Sequence, residues 1–162
     1  MDRSVQDVLL KKRIIYLNER VSEQEASRVS EAIIVLNAES SVPITLYINS
    51  NGGNIDAGLS IYDMLRHSVA PIIGIVQQKA YSAASVVLQG CSVRKALKHA
   101  QILIHNGSIG MDKKFDDIQA DTEKEIRAAI EDSIKKRAFM HAIYTERTGK
   151  RVEEIRQLCL ID

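Results

Sequence analysis

The sequence predicts an α/β fold built on a mostly parallel sheet. Short β-rich runs alternate with segments whose apolar residues recur at helical spacing, the pattern of βαβ units with right-handed crossovers. The runs Ile44-Thr45-Leu46-Tyr47-Ile48 and Ile72-Ile73-Gly74-Ile75-Val76 are apolar almost throughout, as strands inside a parallel sheet are. A third observation sets the end of the chain apart: Asp116 to Thr148 reads as one long charged helix. At 162 residues the chain fits one domain, with enough length to bury a core unaided by staples.

Taken in order, Lys12-Arg13-Ile14-Ile15-Tyr16-Leu17 is a first strand run that turns at Asn18-Glu19. Ser22 with Glu25 makes a capping-box pattern, and Ala26, Val29, Ile33 and Leu36 follow at helical spacing to about Asn37. After Pro43 comes the strand Ile44–Ile48, then a turn through Asn49-Ser50-Asn51-Gly52-Gly53-Asn54. A helix through Ala57, Leu59, Ile61, Met64 and Leu65 leads to the strand Ile72–Val76. Ala80-Tyr81-Ser82-Ala83-Ala84-Ser85 opens a helix through Val86, Val87 and Leu88 that stops at Gly90. Short strands are expected at Val93–Leu97 and Gln101–His105, and a Gly-containing loop from Asn106 to Lys114.

The long helix that follows carries Ile118, Ile126, Ile130, Ile134 and Ala138 as an apolar stripe. Glu123 with Arg127 and Glu131 with Lys135 support its wet side. A stripe of that length needs cover, partly from its own domain and partly from a second subunit, so self-association is expected.

Composition narrows the function classes. Basic and acidic residues nearly balance at 22 and 21, so nothing draws the chain toward nucleic acid or an anionic membrane. Aromatic residues are scarce and Trp is absent, which removes base-stacking platforms as well. Cys91 and Cys159 lack CxxC spacing and read as free thiols in a reducing compartment, with Cys91 packed in a helix end. The opening Met1-Asp2-Arg3-Ser4-Val5-Gln6-Asp7 lacks the apolar core of a signal peptide, and no apolar run is long enough to span a bilayer. A cytoplasmic protein is expected. His67, His99, His105 and His141 show no ligand-like spacing, so neither a metal nor another cofactor is expected.

Parallel sheets carry their sites beyond the carboxyl ends of the strands. Gly52-Gly53, Ser82 and His105 all fall at or just after such ends. A serine among small residues at a helix start suits a nucleophile, since a substrate backbone can come close and the helix N-terminus favours developing negative charge. A histidine ending an apolar strand suits a general base. Serines at helix starts also serve as caps, and strand-end histidines are also plain partly buried residues. Ser85 competes with Ser82, but lies about one helical turn further on.

Leu46-Tyr47-Ile48-Asn49-Ser50-Asn51-Gly52-Gly53, continuing to Asp56-Ala57-Gly58-Leu59-Ser60-Ile61-Tyr62-Asp63, resembles a segment of the proteolytic subunit of Clp protease. So do Ala80-Tyr81-Ser82-Ala83-Ala84 and the stretch from Arg94 to Ile104-His105, in the family's order and within a likeness running from Arg13 to Gly149. The pattern is most similar to the shorter Clp-type proteases of tailed phages and prophages, which carry a similar Ser-Ala-Ala-Ser run before the histidine. The resemblance implies a crotonase-like ββα spiral with a long protruding handle helix, in one domain with its head at about 1–105 and 149–162 and its handle at about 106–148. It further implies rings around a sequestered chamber and serine endopeptidase chemistry. Ser82 would attack, His105 would move the proton, and the backbone N–H groups of Gly53 and Ala83 would form the oxyanion hole. The segment after Gly53 would bind extended peptide by main-chain pairing, and an ATPase unfoldase is the implied partner, whereas phage-type relatives act alone on capsid proteins.

Three features depart from the family's pattern. The position of the triad Asp aligns with Leu158, beside Cys159, and neither is a carboxylate. The chain ends at Leu160-Ile161-Asp162 where the family continues through another helix and strand. Asn106-Gly107-Ser108-Ile109-Gly110 replaces the Gly-rich strand that follows the catalytic histidine and makes ring-to-ring contacts in the family. Asp162, Asp112, Asp116 and Asp117 are the nearby candidates for an orienting carboxylate, and a Ser–His dyad served by water or a backbone carbonyl is the other option. Two further classes compete with the peptidase: a weak or inactive ring subunit with a scaffold or regulatory role, and a crotonase-type acyl-CoA enzyme, which calls for a catalytic glutamate rather than a Ser–His pair.

Overall fold

The structure is a computed structural model that describes residues 3–106 and 120–159. It falls into two compact units, Met1–Ile104 and His105–Asp162.

The first unit opens with a helix that periodicity in so short a segment did not announce, α1 (Arg3–Lys11). Nine residues are too few for an autonomous helix, so α1 depends on packing, which Leu10 supplies against the core. Val5 and Val8 on the same helix stay exposed. Then come β1 (Ile14–Leu17), α2 (Glu23–Glu39), β2 (Ile44–Ser50) and α3 (Ile55–His67). After these follow β3 (Ile72–Tyr81), α4 (Ala83–Gly90), β4 (Val93–Ala96) and β5 (Gln101–Leu103).

All five strands pair in parallel. The order is β1-β2-β3-β4, with β5 also on β3. β3 is the organising strand: β2 runs along one edge, while β4 takes Ile73 to Val76 and β5 takes Lys79 to Tyr81 on the other. This explains why β3 outlasts the expected Ile72–Val76. Its polar continuation Gln77-Gln78-Lys79 breaks the apolar pattern, yet from Lys79 onward the backbone is paired with β5. The register against β2 shifts between Ile48 and Ser50, where the chain leaves the sheet for the turn that follows β2.

The core lies where α2, α3 and α4 meet the sheet. Val29, Ile33 and Leu36 of α2 and Ile61 of α3 are fully buried with Ile44, Leu46 and Ile48 of β2. Cys91 ends α4 fully buried, as the sequence suggests, and its Sγ would lie 2.6 Å from a Cβ added to Gly74. The thiol therefore fills the space that glycine leaves on β3.

The capping box expected at Ser22 is half made. Ser22 Oγ accepts from Glu25 N–H at 3.2 Å, but the Glu25 carboxylate turns to Arg28 at 2.5 Å instead of returning to the cap. Arg28 also donates to the Tyr16 carbonyl, so the pair ties α2 to β1, and Glu25 holds the guanidinium pKa above its ordinary value. At the other end of α2, Arg13 donates to the carbonyls of Leu36, Ser40 and Val42 at 2.9, 3.0 and 3.0 Å. A cation there satisfies carbonyls the helix cannot and complements its dipole.

The second unit holds α5 (Ala120–Thr148) and α6 (Val152–Leu158). Of the expected start of the long helix, Asp116 to Gln119 lie outside the described residues. α5 ends where Gly149, at φ 72°, donates its N–H to Thr145 O. Met140, His141 and Tyr144 are buried together with Ile155 and Cys159 of the same unit. The stripe is another matter: Ile130 and Ile134 stand exposed in the single chain. The ion pair Glu123–Arg127 forms at 3.1 Å, and Asp132–Lys136 at 2.5 Å braces the next turns. Among the described residues no helix is long and apolar enough to cross a membrane.

Candidate active site

The turn between β2 and α3 is built from small and polar residues. Ser50 Oγ donates to the Glu19 carbonyl at 2.7 Å and accepts the Gly52 N–H at 3.1 Å. Gly52 has φ 87° and Gly53 φ 153°. Gly53 forms a parallel bridge with Val21, made by Val21 N–H to Gly52 O and Asn54 N–H to Val21 O at 3.0 and 2.8 Å. In such a bridge the flanking groups carry the bonds, so the N–H of Gly53 itself points away from Val21. Side chains are excluded on both sides. A Cβ on Gly53 would meet Val21 O at 2.3 Å, and one on Gly52 would meet Tyr81 O at 2.4 Å and Ser82 Cβ at 2.8 Å. Asn54 then caps α3 by accepting Ala57 N–H at 3.0 Å.

The Gly52 distances show that this turn lies directly against the junction of β3 and α4. Ser82 occupies that junction with φ 52° and ψ −124°, the conformation of the first central residue in a II′ turn, which glycine normally takes. Holding a serine there costs about 1–3 kcal/mol, which the surroundings must offset. Its N–H donates to Leu103 O of β5 at 2.9 Å, and its carbonyl accepts from Ser85 N–H at 2.9 Å. The hydroxyl makes no capping bond and the residue is half-buried. Ser85 differs on each count: it is fully buried and its Oγ donates to Ser82 O at 2.7 Å. Ala83 follows at the helix N-terminus, packed so closely that a Cβ on Gly58 would meet its Cβ at 3.1 Å. Among the described residues no hydrogen bond engages the N–H of Gly53 or of Ala83. The positive φ at Ser82 has no signature in the sequence beyond the two alanines that follow it, since no Gly-x-Ser-x-Gly pattern marks it.

His105 opens the second unit, half-buried. The next residue, Asn106, donates its N–H to Cys159 O at 3.3 Å, which brings the residue that caps α6 beside it. Leu158 is exposed there and Cys159 is buried, its thiol pKa pushed up by that burial. Asp112, Asp116, Asp117 and Asp162 lie outside the described residues, as do Gly107 to Gly110. His67 and His99 sit exposed on the first unit, and among the described residues no cluster suited to a metal occurs.

His141, which sequence reasoning left aside, has a displaced pKa. Burial, then the charges of Arg156 and Arg137, push it below the ordinary value of 6.5. The unfolded chain therefore takes up this proton first as pH falls. Stability is expected to drop as pH falls below about 6.5 and through the lowered folded pKa. Urea unfolding at a series of pH values should show a shallower dependence for His141→Gln than for the native chain. An unchanged slope would remove His141 from the acid response.

A protein-family model described as Clp protease matches residues 2–161. Two curated relatives are each the ATP-dependent Clp protease proteolytic subunit 2, one from Corynebacterium diphtheriae and one from Corynebacterium efficiens. The first is 34% identical over 155 residues, covering 94% of this chain and 74% of the relative. The second is 33% identical over 152 residues, covering 92% and 72%. Among solved structures, a ClpP1 mutant from Listeria monocytogenes superposes with a TM-score of 0.79 at 24% identity, covering 93% of this chain and 81% of that one. That likeness establishes the fold, an α/β domain of the ClpP type.

Proposed function

Because the chain belongs to the Clp protease family, whose activity is serine peptidase chemistry, we propose that Ser82 is its nucleophile and His105 its general base. One observation carries this reading: Ser82 is held at positive φ between β3 and α4 with its hydroxyl free of any capping bond. Ser82 Oγ attacks the peptide carbonyl while His105 takes the hydroxyl proton and returns it to the leaving amine. The acyl-enzyme is then opened by water that His105 deprotonates. The oxyanion is received by the N–H groups of Gly53, beside the Gly52 that packs on Ser82, and of Ala83, which follows it, and each such donor lowers the barrier by about 3–4 kcal/mol. His105 follows Leu103, whose carbonyl holds the Ser82 N–H, by two residues along the chain. Extended peptide pairs with the backbone after Gly53.

The exposed Ile130 and Ile134 on the stripe of α5 support assembly with further copies of this chain into a ring that encloses the site. A cytoplasmic enzyme fed by an ATPase unfoldase completes the reading. The chemistry calls for no cofactor.

A second reading has its own observation. Leu158 and Cys159 supply no carboxylate where Asn106 meets the Cys159 carbonyl, and a triad enzyme lacking its orienting carboxylate loses on the order of 10⁴ in turnover. That favours a weakly active or inactive ring subunit. Labelling with a fluorophosphonate probe, read by intact mass, separates the two. Adduct on the native chain that disappears in Ser82→Ala and in His105→Ala, yet persists in Ser85→Ala, is the expected result. A folded, assembled chain that takes no label would overturn the peptidase reading and favour the scaffold role.

A further inference from the structure

In the second unit, a pocket of about 350 Å³ is lined by Asn106, Ile134, Arg137, Ala138, His141 and Arg156. Its described lining carries formal charge of one sign. Arg137 comes from α5 and Arg156 from α6, and among the described residues no lining residue is acidic. Among the described residues no ion pair engages either guanidinium. Two buried polar atoms on lining residues also lack a partner: His141 Nε2, in a residue only 6% exposed, and Asn106 Oδ1. A buried polar atom left unpaired costs about 1–3 kcal/mol, so a ligand that supplies partners to both is favoured.

These groups define a ligand by what they lack. The two guanidiniums call for an anion, and carboxylate matches their geometry. Asn106 Oδ1 calls for an N–H or O–H close to that anion. We propose that this pocket binds the free carboxylate of a peptide end together with the amide N–H next to it. The carboxylate lies between Arg137 and Arg156, its amide N–H donates to Asn106 Oδ1, and a protonated His141 Nε2 donates to a carboxylate oxygen. The groups facing His141 here are Arg137 on its own helix, Arg156 on α6 and the Asn106 amide. In the empty pocket the two positive charges and burial oppose protonation of the ring. A bound carboxylate offsets both charges and draws a proton onto it. The site is independent of which serine attacks, because its occupancy is read without turnover.

The test is a titration of the full chain with N-acetyl-alanine, followed by NMR of the ¹³C-labelled His141 ring. N-acetyl-alaninamide, which keeps the amide and lacks the carboxylate, is the control. The expected result is a saturable shift in the millimolar range, an upward move of the His141 titration midpoint on binding, and no response to the carboxamide. Arg137 and Arg156 are exposed, so Arg137→Gln with Arg156→Gln preserves the fold. In that double variant binding should weaken by about tenfold or more. Three results each overturn the proposal: no saturable shift in the native chain, an equal response to the carboxamide, or affinity unchanged in the double variant.

Discussion

Ser82→Ala is expected to lower peptide hydrolysis by about 10⁵–10⁶-fold, the loss seen when a serine enzyme is deprived of its nucleophile. The turn itself should survive. Alanine keeps the Cβ of serine and so inherits the same strained φ 52°, with the same N–H to Leu103 and the same carbonyl to Ser85. Ser82→Gly makes the sharper experiment. Glycine takes positive φ freely, so this variant should be as inactive as Ser82→Ala yet more stable, by about 1 kcal/mol in urea unfolding. Lost activity with gained stability is what a strained nucleophile predicts, and what a serine serving only the fold does not. Hydrolysis that persists in both variants at the native rate would move the nucleophile elsewhere, with Ser85 next in line.

The second large effect belongs to a residue with no side chain. Gly52→Ala adds a Cβ 2.4 Å from Tyr81 O, 2.8 Å from Ser82 Cβ and 3.0 Å from Ala83 N, on a backbone at φ 87°. The two nearest atoms of the facing chain are a carbonyl and a Cβ fixed to it, so no flexible side chain can swing aside. Overpacking and backbone strain together should remove about 3 kcal/mol or more of stability. The movement that relieves the clash also displaces Ser82 and the Ala83 N–H, and a misplacement on the order of 1 Å costs about 10² in rate. Gly149→Ala is the matched control, because it also has positive φ, 72°, but nothing within 4 Å of the added Cβ. It should lose about 1 kcal/mol and leave the probe-labelling rate unchanged. If Gly52→Ala behaves like Gly149→Ala, the contact between the β2–α3 turn and the β3–α4 junction is looser than described.

Much of the fold was legible in the sequence because its determinants are local. Ala26, Val29, Ile33 and Leu36 recur at helical spacing and all are buried in α2, and the apolar runs around Leu46 and Ile75 became the central parallel strands β2 and β3. Where determinants were distant, the reading fell short. α1 is too short to declare itself and rests on Leu10 meeting the core. β3 runs on through polar Gln77-Gln78-Lys79 because β5 pairs with its end, and β5 is itself recruited from the far side of α4 and β4. Glu25 had two partners within reach and took the arginine over the cap, a choice that spacing alone leaves open.

The candidate site divides along the same line. Ser82 and the Gly-Gly turn were visible as small residues at strand ends, whereas the positive φ of Ser82 depends on Gly52 lying against it from another part of the chain. The Arg137, Arg156, His141 and Asn106 group could not be read as a set, because three separate segments supply it.

The hydrogen bond from the Ser82 amide to Leu103 has a kinetic consequence. The strand that accepts it has three residues, all exposed, and among the described residues pairs with β3 alone. Short edge strands of this kind fray, opening at a free energy well below that of global unfolding. Each opening releases the backbone of the residue that must hold its shape for attack. The exchange of that single amide proton for deuterium should therefore be faster than exchange along the buried strand β2, and its rate counts how often the nucleophile's turn is left unsupported. Loss of the active conformation would then precede loss of the fold, so a gentle rise in temperature or denaturant would silence this chain while its sheet is still intact.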